Sequence, residues 1–146
     1  MPVVDDLKRV PLFADLNQRQ LRKLGKCVRE RVHEPGISVV HEGQMSGVGF
    51  FIIAEGDATV NAGGREIGTL GAGDYFGELA LISEGERAAT VSARTRLRLL
   101  EIPSWDFRDF ALANPDVTWK LLRHVVELLS AQRAVGAPAE QGTELE

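Results

Sequence analysis

A glycine, a carboxylate and an arginine stand close together in the stretch 73–93, which reads GDYFGELALISEGERAATVSA. Gly77 permits backbone angles that other residues avoid, and it lets a ligand approach the main chain closely. Good helix formers follow Glu78, so we predict a short helix that begins there. The unpaired N–H groups at such a helix start form a site for an anion, and phosphate is the natural ligand.

An arginine on the same segment extends this pattern. Arg87 follows Glu78 by nine residues, and a guanidinium group can bind two phosphate oxygens at once. The small residues Ala88 and Ala89 allow their N–H groups to approach the same anion. Glu78 would be repelled by a phosphate unless it accepts a hydrogen bond from a hydroxyl, and a ribose 2′-OH is such a donor. Together these residue types predict a nucleotide site.

Both charged residues also have purely structural interpretations. An acid is favourable in the first turn of any surface helix, because it faces the positive end of the helix dipole. Arg87 would serve equally as the partner in a structural ion pair. The residues alone leave these alternatives open.

The surrounding chain predicts a β domain that would position this segment. Glycines recur between Val32 and Pro103, and they separate short apolar or β-branched runs. These runs are residues 37–40, 48–53, 58–60, 67–70, 89–92 and 97–102. Short strands divided by turns are typical of an antiparallel sandwich or barrel. Gly63 and Gly64 lie between two runs and predict a hairpin.

Helices are predicted before and after the β region. Asn17 and Gln20 have the spacing of an N-terminal capping arrangement, so we expect a helix from Asn17 to about Arg29. Cys27 lies in its apolar-periodic stretch and is expected to pack as a small buried hydrophobe. We assign it no thiol chemistry.

Two further helices are predicted after Pro103. Ser104 is expected to cap the first, which runs to Asn114, and Pro115 opens the second. The second helix carries an apolar row that is suited to packing on a partner helix: Trp119, Leu122, Val126 and Leu129.

The segment FGELAL followed by RAATV resembles the phosphate-binding cassette of the cyclic-nucleotide-binding domains. These domains occur in regulatory subunits of cAMP-dependent protein kinase, in catabolite activator protein and in cyclic-nucleotide-gated channels. The resemblance runs from about Leu7 to about Gln132. It implies a mainly β fold, an eight-stranded antiparallel jelly-roll β-barrel with an N-terminal helical lead-in and C-terminal helices. We expect one domain over residues 1–134 and a disordered tail over 135–146.

The resemblance also implies roles for individual residues. Glu78 would accept from the ribose 2′-OH, and Arg87 would neutralise the cyclic phosphate. Gln132 and Arg133 would act as a lid over the base. The implied ligand-binding residues are Phe76, Gly77, Glu78, Leu79, Ala80, Arg87, Ala88 and Ala89, with Val60 and Leu70 packing on the base or sugar.

The expected ligand is cAMP, with cGMP bound more weakly. Family members that prefer cGMP often carry Thr directly after the cassette arginine, where its hydroxyl reaches the guanine. This chain has Ala88 at that position. A methyl group offers no such hydrogen bond.

Several other functions are not expected. The net charge of −4 argues against nucleic-acid binding, and no apolar run approaches the ~20 residues of a membrane span. His33, His41 and His124 are far apart and predict no metal site. The chain has no nucleophile motif such as GxSxG, so we expect no catalytic residue, no cofactor and no enzyme activity. The single cysteine and the absence of a signal sequence suggest a cytoplasmic protein.

The sequence therefore predicts a cAMP-binding sensor or regulatory module. It would transmit its ligand state through the C-terminal helix to an unidentified effector, and that helix also suits a homodimer. Two alternatives remain. One is the ligand-binding part of a transcription regulator or enzyme whose output domain is absent from this chain. The other is a barrel that has lost its ligand and serves as an interaction scaffold.

Overall fold

The computed structural model describes residues 3–43, 49–77, 87 and 89–136, which form two four-stranded sheets. One sheet has the strand order β1-β8-β3-β6 and the other has the order β2-β7-β4-β5, with every pairing antiparallel. Strands far apart in the chain are neighbours in both sheets, as in a jelly roll. The predicted mainly β class with flanking helices is confirmed, whereas closure into a barrel stays a prediction. The strands β1 to β8 are Arg29–His33, Ser38–Val40, Gly49–Glu55, Ala58–Ala62, Arg65–Leu70, Tyr75–Phe76, Thr90–Ala93 and Leu97–Pro103.

The ladder between β3 and β8 is buried on both faces. Side chains alternate between the faces of a strand, so each face of this ladder contributes to a different core. The outer face packs against the helices through Phe50, Ile52, Leu100 and Ile102. The inner face packs against the second sheet through Phe51, Ile53, Leu97 and Leu99. Burial on both sides explains the nearly continuous apolar runs in the sequence.

Helices from both ends of the chain cover the outer face. They are α1 (Val3–Lys8), a 3-10 turn (Pro11–Phe13), α2 (Gln18–Gly25), α3 (Ser104–Ala113) and α4 (Pro115–Gly136). The best-defined contact is a stacked ring pair, in which Phe107 of α3 lies 4.0 Å from Phe50 between ring centroids. Both rings are fully buried.

The N-terminal capping prediction is confirmed. The Asn17 side chain accepts from the Gln20 N–H at 2.8 Å, and the Gln20 side chain accepts from the Asn17 N–H at 2.8 Å. The helix ends at Gly25, before the predicted Arg29, because Arg29 begins β1. Cys27 is only half-buried, although it packs against the core. Burial, followed by the nearby Asp106, raises the pKa of its thiol, which keeps the sulfur protonated at neutral pH.

An ion pair fastens α1 to the outer face. Arg98 donates to both carboxylate oxygens of Asp6, at 3.1 and 3.2 Å, and Asp6 is only 4% exposed. Glu55 lies 3.2 Å and Glu30 lies 3.8 Å from the same guanidinium group. The hydrogen bonds to Asp6 raise the pKa of Arg98 above its ordinary value, so this cation stays charged.

Most of the predicted elements are present, and the differences are local. Gly63 and Gly64 form the predicted turn between β4 and β5, with φ of 62° and 78°. The prediction of Ser104 as a helix cap was wrong. Pro103 occupies the cap position without a side-chain hydrogen bond, and α3 begins at Ser104 itself and ends at Ala113. Strands β1 and β6 were not predicted.

The C-terminal helix continues to Gly136 and so crosses the predicted domain boundary after residue 134. In the described ranges, no helix has both the length and the apolar character that crossing a bilayer requires.

Candidate functional site

Gly77 directly follows β6 and occupies a backbone conformation with φ of 99°. A Cβ atom at this position would lie 3.0 Å from the Gly49 carbonyl oxygen and 3.1 Å from Nη1 of Arg87. Both the backbone angle and the close neighbours disfavour a side chain at this position. The sequence-based assignment of Gly77 as a residue that a ligand approaches closely stays a prediction.

Arg87 is buried next to this glycine. It is 6% exposed, and its Nη2 donates to the Gly49 carbonyl at 3.2 Å. Its own main-chain carbonyl accepts from the Gly43 N–H at 3.0 Å, which ties the segment to the loop after β2. A buried guanidinium in a low-dielectric setting interacts strongly with an incoming anion.

Gly49 is a site residue that the sequence analysis missed. It begins β3, its carbonyl accepts from Arg87, and the same oxygen lies closest to the position that a Gly77 side chain would take. Two glycines, one at the start of β3 and one directly after β6, thus adjoin the arginine. In the sequence Gly49 lies inside the apolar run 48–53, which predicted a strand and gave no sign of a site. Recognising its role requires the pairing of β3 with β6.

The apolar residues assigned to the site lie around the inner core. Phe76 is buried and stacks on Phe51, with 5.1 Å between ring centroids. Val60 on β4 and Leu70 at the end of β5 are partly buried and pack against the same cluster. Ala89 immediately precedes β7 and is half-buried. Phe76, Val60 and Leu70 thus belong to the inner core, and Ala89 lies directly before β7.

The remaining site residues lie outside the described part of the chain. They are Glu78, Leu79, Ala80 and Ala88, together with the predicted short helix that begins at Glu78. Gln132 and Arg133 belong to the last turns of α4, but their side chains are also outside the described part. Their assigned roles stay predictions.

A groove of about 530 Å³ lies where α4 meets the N-terminal lead-in. Leu70 and Tyr75 line it from the β region, and Lys120 and His124 line it from α4. Arg87 is not among the described residues that line it, whereas Leu70, which the sequence assigned to the ligand site, is. Lys120 bridges the two sides through Asp15 at 2.9 Å and the Pro11 carbonyl at 3.0 Å.

The C-terminal helix buries one side and exposes another. Val117 and Leu121 are in the core, whereas the predicted apolar row is exposed. The exposed fractions are Trp119 62%, Leu122 52%, Val126 53% and Leu129 56%. We call these four residues the α4 stripe.

Metal-ligating side chains do not cluster in the described ranges. Within residues 3–43, 49–77, 87 and 89–136, no group of three or more His, Cys, Asp or Glu residues could hold a metal ion.

A buried arginine between two glycines, inside a jelly-roll sandwich, defines a domain suited to binding an anionic ligand. The family model described as the cyclic nucleotide-binding domain matches residues 30–114. The chain therefore belongs to the cyclic nucleotide-binding domain family, and the predicted resemblance is confirmed.

The chain is similar to proteins of two classes, kinase regulatory subunits and potassium channels. A cAMP-dependent protein kinase regulatory subunit of Yarrowia lipolytica is 40% identical over 95 residues, covering 64% of this chain and 25% of the relative. A cyclic nucleotide-gated potassium channel of Rhizobium etli is 34% identical over 131 residues, covering 90% of this chain and 35% of the channel. The chain thus spans about a quarter to a third of the length of these relatives.

A solved structure extends the likeness to three dimensions. The structure described as cAMP-bound PfPKA-R (141–441) superimposes with a TM-score of 0.85 at 27% sequence identity. The alignment covers 92% of this chain and 46% of that chain.

Proposed function

We propose that this chain binds cAMP and works as a regulatory module that passes its ligand state to an effector through α4. The observation that carries the proposal is the buried Arg87, held by the Gly49 carbonyl beside the positive-φ backbone of Gly77. A desolvated arginine with a forked donor set is suited to the two exocyclic oxygens of a cyclic phosphate. Family membership and the cAMP-bound structural relative support the same ligand.

Calorimetric titration tests the ligand assignment. We expect cAMP to bind at micromolar or lower Kd, cGMP to bind more weakly, and 5′-AMP to bind weakest because it lacks the cyclic phosphate. The double variant Glu78→Ala/Arg87→Ala should lose cAMP binding, because it removes both the predicted hydroxyl acceptor and the phosphate partner. Arg94→Ala, which removes an exposed arginine nearby, is the matched control and should bind like the wild type. Binding that survives in the double variant would contradict the assignment.

The output is assigned to α4 because this helix contacts both the lead-in and the β region. Lys120 bonds to Asp15 and to the Pro11 carbonyl, and the His124 ring lies 4.7 Å from the Tyr75 ring between centroids. Tyr75 belongs to β6, which leads directly into Gly77. A ligand that favours one position of this strand would shift the population of α4 positions.

The lid is assigned to Gln132 and Arg133 near the end of α4. The double variant Gln132→Ala/Arg133→Ala should weaken cAMP binding several-fold by removing contacts to the base. Glu127→Ala, an exposed change on the same helix, serves as the control. Equal cAMP affinities in the wild type, the double variant and the control would show that Gln132 and Arg133 do not contact the base.

A second copy of this chain is the proposed partner of the α4 stripe. Its four residues recur at spacings of three, four and three on one helix side, a pattern that suits packing between two helices. Sedimentation of the wild type should show a concentration-dependent dimer. Trp119→Glu/Val126→Glu should remain monomeric, whereas Arg123→Glu, also exposed on α4, should still dimerise. A wild type that is monomeric at all concentrations would exclude this role.

The remaining proposals concern the regulatory role of the chain. We infer a non-catalytic chain that takes cAMP as its ligand, needs no cofactor and acts in the cytoplasm. The effector would be a separate protein, or a further domain of a longer chain such as a kinase regulatory subunit, a channel or a transcription regulator. Failure to bind either cyclic nucleotide would favour the alternative of an interaction scaffold.

A further inference from the structure

Glu101 is a carboxylate on the apolar inner face of β8. It is 9% exposed, and Leu97 and Leu99 on the same face are fully buried. Burying a carboxylate is costly unless its oxygens are paired. The proposed binding of cAMP gives no role to this residue, and neither does the packing of the core.

Each oxygen of Glu101 has a different neighbour. Oε1 accepts from Nε of Arg31 on β1 at 2.8 Å. Oε2 lies over Gly49, so close that a Cβ atom on Gly49 would stand 2.8 Å from it. Any larger residue at this point of β3 would displace the carboxylate from its present position.

Gly49 is also the residue that holds Arg87. Its carbonyl accepts from Nη2 of Arg87 at 3.2 Å. Gly49 therefore contacts both groups. The Glu101 carboxylate lies next to its Cα, and its carbonyl accepts the hydrogen bond from Arg87. Any shift of Gly49 moves the acceptor that orients the guanidinium.

We propose that the Arg31–Glu101 pair positions Arg87 for its ligand by fixing the backbone of Gly49, an inference that rests on the proposed binding of a cyclic nucleotide. Neither residue is assigned a contact with the nucleotide. Arg31 holds the carboxylate from the neighbouring strand β1, and its own side chain is 49% exposed. Residue 101 needs a side chain with the shape of glutamate and an oxygen that accepts from Arg31. Glutamine has both, so it should substitute for glutamate.

Calorimetry with cAMP tests this role by comparing the wild type with variants of Glu101 and Arg87. Glu101→Ala should weaken binding about tenfold, whereas Glu101→Gln should stay within about threefold of the wild type. In the Arg87→Lys background, Glu101→Ala should weaken cAMP binding by less than about a further threefold. The reason is that the forked guanidinium, which Glu101 helps to position, is already absent from that background. Ile53→Val, which trims the same inner face of β3 away from Gly49, controls for a general loss of stability.

Arg31→Ala provides an independent variant at a partly exposed position, and it should weaken binding several-fold if Glu101→Ala fails to fold. Unchanged cAMP affinity in Glu101→Ala or Arg31→Ala, with a wild type that binds, would overturn the positioning role alone. An affinity loss that is equally large in the Arg87→Lys background would overturn it too. A wild type that does not bind cAMP would overturn the proposed function together with this inference.

Discussion

The two faces of the β3–β8 ladder are alike over most of its length and differ where β3 begins. On the outer face the apolar side chains continue to the end of the ladder, where Phe50 pairs with Ile102 under the helices. On the inner face Ile53 pairs with Leu99, but the next pair is Phe51 with Glu101, and Gly49 follows Phe51's position on that face. The inner face therefore carries a buried carboxylate and a glycine next to the point where Arg87 is held. Such local departures are expected at functional sites, because a uniform core needs neither a buried charge nor an empty position.

The outer face should govern stability, and Phe107→Ala should have the largest effect there. Removal of a fully buried ring that stacks on Phe50 should lower the free energy of unfolding by about 3–5 kcal/mol. Chemical denaturation measures the loss, and Phe107→Leu should lose less. The folded variant should bind cAMP within about threefold of the wild type. A large affinity loss would show that the two faces are not independent.

Asp6→Asn tests the charged tether on the same face. The change weakens a buried ion pair with Arg98, while Glu55 remains near the guanidinium. We expect the free energy of unfolding to fall by about 1–3 kcal/mol at neutral pH. Asp5→Asn, one residue earlier and partly exposed, should change it by less than about 0.5 kcal/mol. Equal effects of the two changes would mean that the pair adds nothing specific.

Gly77→Ala and Gly64→Ala separate backbone strain from site geometry. Both glycines have positive φ, so either change should cost roughly 1–2 kcal/mol of stability. A side chain at Gly64 meets no atom within 4 Å, whereas one at Gly77 meets the Gly49 carbonyl and Arg87. Only Gly77→Ala should therefore weaken cAMP binding, by about tenfold or more. Equal affinities in the two variants would place Gly77 outside the site.

The smallest effect is expected from Ala88→Thr, which tests nucleotide preference. A hydroxyl that reaches guanine should strengthen cGMP binding by about two- to tenfold, the value of one hydrogen bond. Ala88→Val has nearly the same shape without the hydroxyl and is the matched control. Stronger cGMP binding in both variants, or in neither, would contradict the explanation that the methyl group of Ala88 disfavours cGMP. Competition between cGMP and a labelled cAMP analogue provides the measurement.

The sequence predicted the parts of the fold that local chemistry specifies. The glycine pair at 63–64, the Asn17–Gln20 cap and Pro115 as the first residue of a helix are confirmed. Strand β1 was missed because its charged residues form an exposed edge strand that pairs on one side only. Strand β6 has two residues and carries no periodicity.

The site could be predicted only in part, because some of its residues come from strands that are far apart in the sequence. Gly77 and Arg87 lie in one sequence segment, so their types and spacing were informative. Gly49 and Glu101 come from two other strands, and only the register of β3 with β8 brings them together. A glutamate inside the run LRLLEIP gives no sign of its direction, and its burial depends on the second sheet.

The most direct test is a comparison of cAMP affinity and folding stability in the wild type and Arg87→Lys. Lysine keeps the positive charge but loses the forked donors that fit a cyclic phosphate. We predict at least about tenfold weaker binding by calorimetry, with the free energy of unfolding changed by less than about 1 kcal/mol. Unchanged affinity in Arg87→Lys would contradict the account, because it would show that the buried guanidinium does not bind the ligand.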